Sequence, residues 1–379
     1  MAIIHHRRSS LNKTSEARVR QELESLSSLA ELFLARSGTL PMNVSFDLDY
    51  KPFEGIQGCF QTWRSCIARC KSLRLHVVVP MLRLFFPVPV ELPLLESLQY
   101  IPVFCSPVIP VSLANISAPR LASLSLDSIR ETDSIDIGIP ASQLTELRLE
   151  TALNLSVIRL LEAQCQSLKT VRLHFDRSVV SRMRPMTFPN LEDADLKFPD
   201  DIFDVVLPNF VAPSLQALRI AASSSPLLEP FVMFLARMLA ASGSQLRKLH
   251  IDCWEVFEDV EGLYRVLKAV PSLSFLSIFG SLSSGIRLDE ILDPLIHRDP
   301  ATNQFPVPHL AKLNISFNAD DAEGCADDES LCEILDLRRS GEYAVAKLET
   351  VDIENYRPKP VWRIRPGVEG IIRDPDFTE

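Results

Sequence analysis

The sequence predicts an α/β fold assembled from stacked copies of one small unit, and three observations predict it. The pattern Leu-x-x-Leu-x-Leu, or a close variant, starts at Leu95, Leu121, Leu144, Leu168, Leu191, Leu215, Leu246, Leu273, Leu310 and Leu348. Successive copies lie 23–38 residues apart, a distance that fits one short strand plus a returning segment. The 379 residues include 27 prolines against 12 glycines, and a proline stands two places before the first leucine at Pro93, Pro119, Pro189, Pro213, Pro271 and Pro308. A strand from one copy cannot bury its apolar face alone, whereas parallel neighbours stacked beside it can. The predicted architecture is therefore a leucine-rich-repeat solenoid with irregular repeats. Its parallel strands would line the concave face, and helices and loops would form the convex face.

Taken in order, residues 1–14 carry no pattern and are expected to be disordered. Residues 15–36 read as one amphipathic helix capping the array, and 15–355 as one solenoid. The stretch "PMNVSFDL" (41–48) and a weaker copy at Cys70, "CKSLRL", are candidates for opening strands. Apolar residues at three- and four-residue intervals predict helical returns over 153–164, 226–240, 256–269 and 329–338. Residues 128–143 read as an irregular loop, and the tail 356–379 lacks the pattern. In those six copies the proline is expected at strand entry, where its missing N–H falls outside the ladder.

A formal charge of -10 argues against nucleic acid as a partner, because such affinity needs a net basic face. Eight cysteines without a Cys-x-x-Cys pair suggest reduced thiols in a cytoplasmic or nuclear protein. No signal-peptide core and no apolar run of spanning length is present, so no membrane partner is expected. A search for chemistry finds no nucleophile elbow, phosphate loop, dinucleotide fingerprint or zinc spacing. The acidic stretch "ADDAEGCADDES" (319–330) lacks oxygen ligands on alternate residues closed by a glutamate, so it reads as a solvated insertion rather than a calcium loop. Neither a cofactor nor a metal is expected, and the chain reads as non-catalytic.

The informative residues are those the strand pattern turns outward. The candidate binding residues are Arg148, Arg172, Arg219 and His250, with Lys248 at a neighbouring outward position. Guanidinium groups on adjacent strands could take an acidic or phosphorylated protein segment through bidentate contacts. The alternative is that they form cross-strand pairs with Glu146, Asp193 and Asp195 and neutralise one another.

The phrases "LFLARSGTLPMNVSF" (32–46), "APRLASLSL" (118–126) and "APSLQALRI" (212–220) resemble those of F-box and F-box-like proteins of mushroom-forming fungi. That resemblance covers roughly 20–355. It implies irregular leucine-rich repeats behind an F-box, and target recognition for a cullin–RING ubiquitin ligase whose adaptor subunit the F-box would engage. The residues ahead of the matching region hold no Leu-Pro opening of an F-box, so the sequence carries the recognition half of that role. The consensus Asn or Cys three places after the last apolar strand position is also missing; Ile129, Ala152, Asp176 and Pro199 hold that place instead.

Overall fold

A turn of fixed geometry delivers each leucine of the pattern to its place. At the six proline-bearing copies, the N–H of the first leucine donates to the carbonyl three residues back. These bonds run from Leu95 to Leu92 (3.1 Å), Leu121 to Ala118 (3.1 Å), Leu191 to Phe188 (3.3 Å), Leu215 to Ala212 (3.2 Å), Leu273 to Val270 (3.0 Å) and Leu310 to Val307 (3.3 Å). Proline occupies the second place of each turn, where its fixed φ pre-sets the backbone. This corrects the expectation that proline opens the strand itself. The strands begin four residues later, at Ser97, Ser123, Asp193, Ala217, Phe275 and Lys312.

A computed structural model describes residues 2–5, 16–48, 57–103, 113, 115–129, 137–152, 155–176, 184–198, 206–222, 231–243, 245–253, 260–282, 292, 295, 298–299, 303–319, 346, 348–355, 362–364 and 372–373. The protein is α/β, and it divides into two compact units, Met1–Leu168 and Lys169–Glu379. Among the described residues no helix is long and apolar enough to cross a membrane.

In the first unit the strands Ala2–His5, Met42–Leu48, Cys70–Val77, Ser97–Pro102, Ser123–Ile129 and Glu146–Ala152 pair in that order, all parallel. The candidate opening strands at 41–48 and Cys70 are thus both strands. Ala2–His5 falls inside the stretch for which no regular structure is expected; its β-branched Ile3 and Ile4 suit a short strand. The predicted cap is the helix Glu16–Ser37. Arg69 holds its C-terminal end: the guanidinium donates to the Leu34 and Ser37 carbonyls of the helix and, at 2.7 Å, to that of Leu40 just beyond it.

The helices Gln57–Ile67 and Val79–Phe85 follow, and they go beyond the sequence expectation. Phe60, Trp63 and Ile67 lie on one face of the first, and Pro80 opens the second at a position that needs no N–H donor. Phe46, Phe60, Trp63 and Phe85 form an aromatic core with ring centroids 4.8–6.0 Å apart, tilted or edge-on except for the stacked pair Trp63–Phe85, within the range that aromatic pairs favour. The return expected over 153–164 is the helix Leu155–Gln164.

In the second unit the strands Thr170–Asp176, Asp193–Phe198, Ala217–Ala222, Lys248–Cys253, Phe275–Leu282, Lys312–Ala319 and Thr350–Asn355 are likewise parallel and consecutive. Trp362–Ile364 and Ile372–Arg373 then add antiparallel strands from the tail that the pattern leaves blank. The return expected over 226–240 is the helix Phe231–Ser242, starting directly after Pro230, and that over 256–269 is Val260–Ala269. The helix expected over 329–338 lies outside the described residues, as does the acidic stretch after Ala319.

Alternation along each strand sorts the side chains. Leu98, Leu124 and Leu147 in the first unit, and Val171, Ala194, Leu218, Leu249, Leu276 and Leu313 in the second, are buried and aligned in register. The residues between them face the other way. Burying the leucines and Val171 contributes about 1.5–3 kcal/mol each against leaving them in water, and Ala194 less.

Backbone hydrogen bonds tie the entry of most of these strands to the strand before it. Ahead of successive strands one carbonyl accepts two consecutive N–H groups. In the first unit Glu96 accepts from Ala122 and Ser123, and Ala122 from Thr145 and Glu146. The second unit repeats the device at Lys169, Glu192, Gln216, Arg247, Ser274 and Ala311. Gln164 adds a side-chain version in the first unit. Its buried Oε1 accepts from the N–H groups of Gln143 (2.8 Å) and Leu144 (2.9 Å), while its Nε2 donates to the Pro140 carbonyl (2.9 Å). Every polar atom of that amide oxygen and nitrogen pair thus has work inside the fold, as a buried amide requires.

Candidate functional site

The outward face of the second unit resolves into rows, because its strands pair without a register shift. The first row reads Thr170, Asp193, Ala217, Lys248, Phe275, Lys312. The next reads Arg172, Asp195, Arg219, His250, Ser277, Asn314, and the third His174, Lys197, Ala221, Asp252, Phe279, Ser316. The seventh parallel strand continues the rows with Thr350, Asp352 and Glu354, so the face carries five cations (Arg172, Lys197, Arg219, Lys248, Lys312) and five acidic residues (Asp193, Asp195, Asp252, Asp352, Glu354), with all five cations on the first six strands.

Of the five predicted residues, Arg172, Arg219, His250 and Lys248 share this face, and Arg148 belongs to the first unit. Arg172 and Arg219 are exposed and flank Asp195 in register, one strand away on either side. Neither forms an ion pair among the described residues, and the same holds for the exposed Lys248 and Lys312. Asp195 turns instead toward His174, whose Nε2 lies 3.7 Å from Oδ2. The Asp195 side chain is only 17% exposed, and its Oδ1 is buried without a hydrogen-bond partner among the described residues. Among the described residues, Arg172 and Arg219 therefore do not form the cross-strand ion pairs weighed from the sequence.

Arg148 behaves differently. Its Nη2 donates to Glu150 Oε1 at 2.9 Å, two places along the same strand and on the same face. Glu146, the partner considered from sequence, accepts from Ser123 Oγ at 3.0 Å. Pairing along the strand was harder to foresee than pairing across it, because side-chain length decides between the two.

His250 is half-buried, with Nδ1 2.9 Å from Ser277 Oγ. Burial pushes its pKa down, the neighbouring Arg219 pushes it further, and Asp252 and Asp195 only partly offset this. Its imidazole is neutral at neutral pH. A histidine beside a serine is the start of a nucleophile–base pair, but Ser277 is 5% exposed and offers an incoming carbonyl almost no approach. Among the described residues no group of three or more His, Cys, Asp or Glu could hold a metal ion. What the face can do chemically is attract anions: guanidinium and ammonium groups without an ion pair among the described residues present donors to carboxylates or phosphates.

Two residues outside the predicted set belong with it. Lys312 sits in the Lys248 row, and Lys197 lies two places beyond Asp195, past the end of the leucine pattern. The signal for Lys197 was simple alternation, carried one step further along the strand. No family model matches this chain, and no curated protein matches it.

Proposed function

We propose that this chain is a non-catalytic protein-interaction module, an irregular leucine-rich-repeat solenoid that recognises an acidic or phosphorylated protein segment. The observation that carries the reading is the set of exposed cations Arg172, Arg219 and Lys248, without an ion pair among the described residues, on one in-register strand face of an acidic chain. An extended acidic segment laid across the strands would meet these groups in turn, and its attraction would weaken as salt rises. Arg148, held by Glu150, contributes less than the sequence suggested. A phosphorylated residue would gain most at the two arginines, whose forked donors match phosphate oxygens.

The resemblance to fungal F-box-like proteins supports a more specific role, that of substrate receptor for a cullin–RING ubiquitin ligase in the cytoplasm or nucleus. In that role the chain supplies no catalytic residue; it holds a target while the ligase transfers ubiquitin. The alternative is a free-standing scaffold without a ubiquitin link. Affinity purification of the tagged full chain from its own cells separates the two. Recovery of the ligase adaptor subunit supports the receptor, and its repeated absence from preparations that still retain acidic peptides assigns the scaffold. Failure to retain acidic peptides at any salt concentration contradicts both.

A further inference from the structure

We propose that the recognised segment carries an apolar side chain as well as its acidic group, and that Phe275 is where that side chain docks. This rests on the reading that the outward strand face of the second unit is the recognition surface.

Phe275 is half-buried in the first outward row, directly in register between Lys248 and Lys312. Its ring makes no aromatic or cation–π contact among the described residues. Phe279 is half-buried on the same strand and face, two pleats further on, with the buried Ser277 between them. On the neighbouring strand stands His250, bonded to Ser277. The result is an apolar strip with an exposed lysine on each side of its near end.

Neighbouring strands lie about 4.8 Å apart, so both lysines can lay their methylene stems beside the ring while their ammonium groups reach water. An apolar centre rimmed by charge is the anatomy of a recognition hot spot. Aromatic rings supply large contact area there once water is excluded.

The geometry also sets a spacing. Arg219 lies two strands and one pleat from Phe275, roughly 12 Å given the strand separation and the rise along a strand. An extended peptide advances about 3.3 Å per residue. Acidic and apolar residues of the ligand should therefore stand three or four places apart.

A phage-displayed library of random dodecapeptides, selected on the full chain, tests this. The expected result is enrichment of Asp or Glu with Phe, Tyr, Trp or Leu three or four places away. Against synthetic versions of the selected peptides, Phe275→Ala should weaken binding about tenfold or more. It should leave unchanged the weaker binding of analogues whose apolar residue is replaced by alanine. Phe275→Leu, which keeps an apolar group of similar reach, should retain most of the affinity and the fold. Enrichment of acidic residues without an apolar partner at fixed spacing, or equal loss by Phe275→Ala for both kinds of peptide, overturns this inference and leaves the acidic-segment reading standing. Enrichment without acidic residues overturns both.

Discussion

On the strand face of the first unit charged side chains answer one another. Asp47 Oδ1 lies 2.8 Å from His76 Nδ1, Glu150 takes Arg148 at 2.9 Å, and Lys71 lies 3.2 Å from Glu96 at the strand starts. Arg74 is the exposed cation that this face leaves without an ion pair among the described residues. On the second unit's face Arg172, Arg219, Lys248 and Lys312 are all in that position, and the carboxylate between the two arginines faces a histidine. The strand pattern is the same in both. The difference teaches that partner choice, rather than register, separates a self-satisfied sheet face from one open to a ligand. Exposed ion pairs of the first kind contribute only about 0–1 kcal/mol, so leaving them unmade in the second costs the fold little.

The comparison can be broken first at its shared premise, that the opposite strand face is the core. Trp63→Ala in the first unit should cost about 3–5 kcal/mol, since the indole lies fully buried among Phe46, Phe60 and Phe85. In the second unit Leu218→Ala should cost about 2–5 kcal/mol, while its exposed neighbour Arg219→Ala stays within about 0.5 kcal/mol. Urea midpoints read all three; equal losses at Leu218 and Arg219 would mean that the faces are assigned wrongly. Gln164→Leu comes next. It leaves the N–H of the buried Leu144 unpaired, at about 1–3 kcal/mol, while the half-buried Gln143 N–H and the carbonyl of the exposed Pro140 can turn to water.

Smaller effects sharpen the charge contrast. Asp195→Asn removes the carboxylate between Arg172 and Arg219 and should tighten an acidic peptide by about 1 kcal/mol, roughly fivefold. The matching change in the first unit, Glu150→Gln, removes the carboxylate beside Arg148 and should leave that peptide's affinity unchanged. The smallest effect concerns pH. Burial and Arg219 hold the His250 pKa below its ordinary value, so the unfolded chain takes up a proton first as the pH falls. Stability tied to the neutral imidazole is complete above the ordinary histidine value of about 6.5 and is lost as pH falls from there through the folded value. His250→Gln keeps a hydrogen-bonding group beside Ser277 and should flatten the decline in urea midpoint between pH 7 and pH 5 (roughly the window of histidine titration).

Much of the fold was legible because the Leu-x-x-Leu-x-Leu copies carry both the strand period and its register. Leu218 pairs with Ala194 and Leu249, and Ile220 with Leu196 and Ile251, as alignment on the first leucine requires. The six prolines are visible as part of the pattern but their task is not, since the turn bond from Leu95 to Leu92 and its counterparts exist only in three dimensions. The helix Gln57–Ile67 was overlooked although Phe60, Trp63 and Ile67 stand at helical spacing. For the candidate site, outward position followed from alternation, and four of the five chosen residues share one face. Whether an outward arginine meets a carboxylate did not follow: Arg148 has Glu150 two places along its own strand, while Arg172 and Arg219 flank an aspartate that turns away. Those outcomes depend on side-chain conformations a few ångströms across, which no periodicity encodes.

The most direct test measures an acidic dodecapeptide, of the kind selected on the full chain, against three proteins by fluorescence anisotropy: the unaltered chain, Arg172→Glu with Arg219→Glu, and Arg74→Glu. All three substitutions lie on exposed strand-face positions, so folding should be preserved, as circular dichroism can verify. Loss of binding in the double variant, with the first-unit variant still binding at full strength, is the predicted result. Equal binding by all three proteins, or equal loss in both variants, would contradict the assignment of the docking face to the second unit.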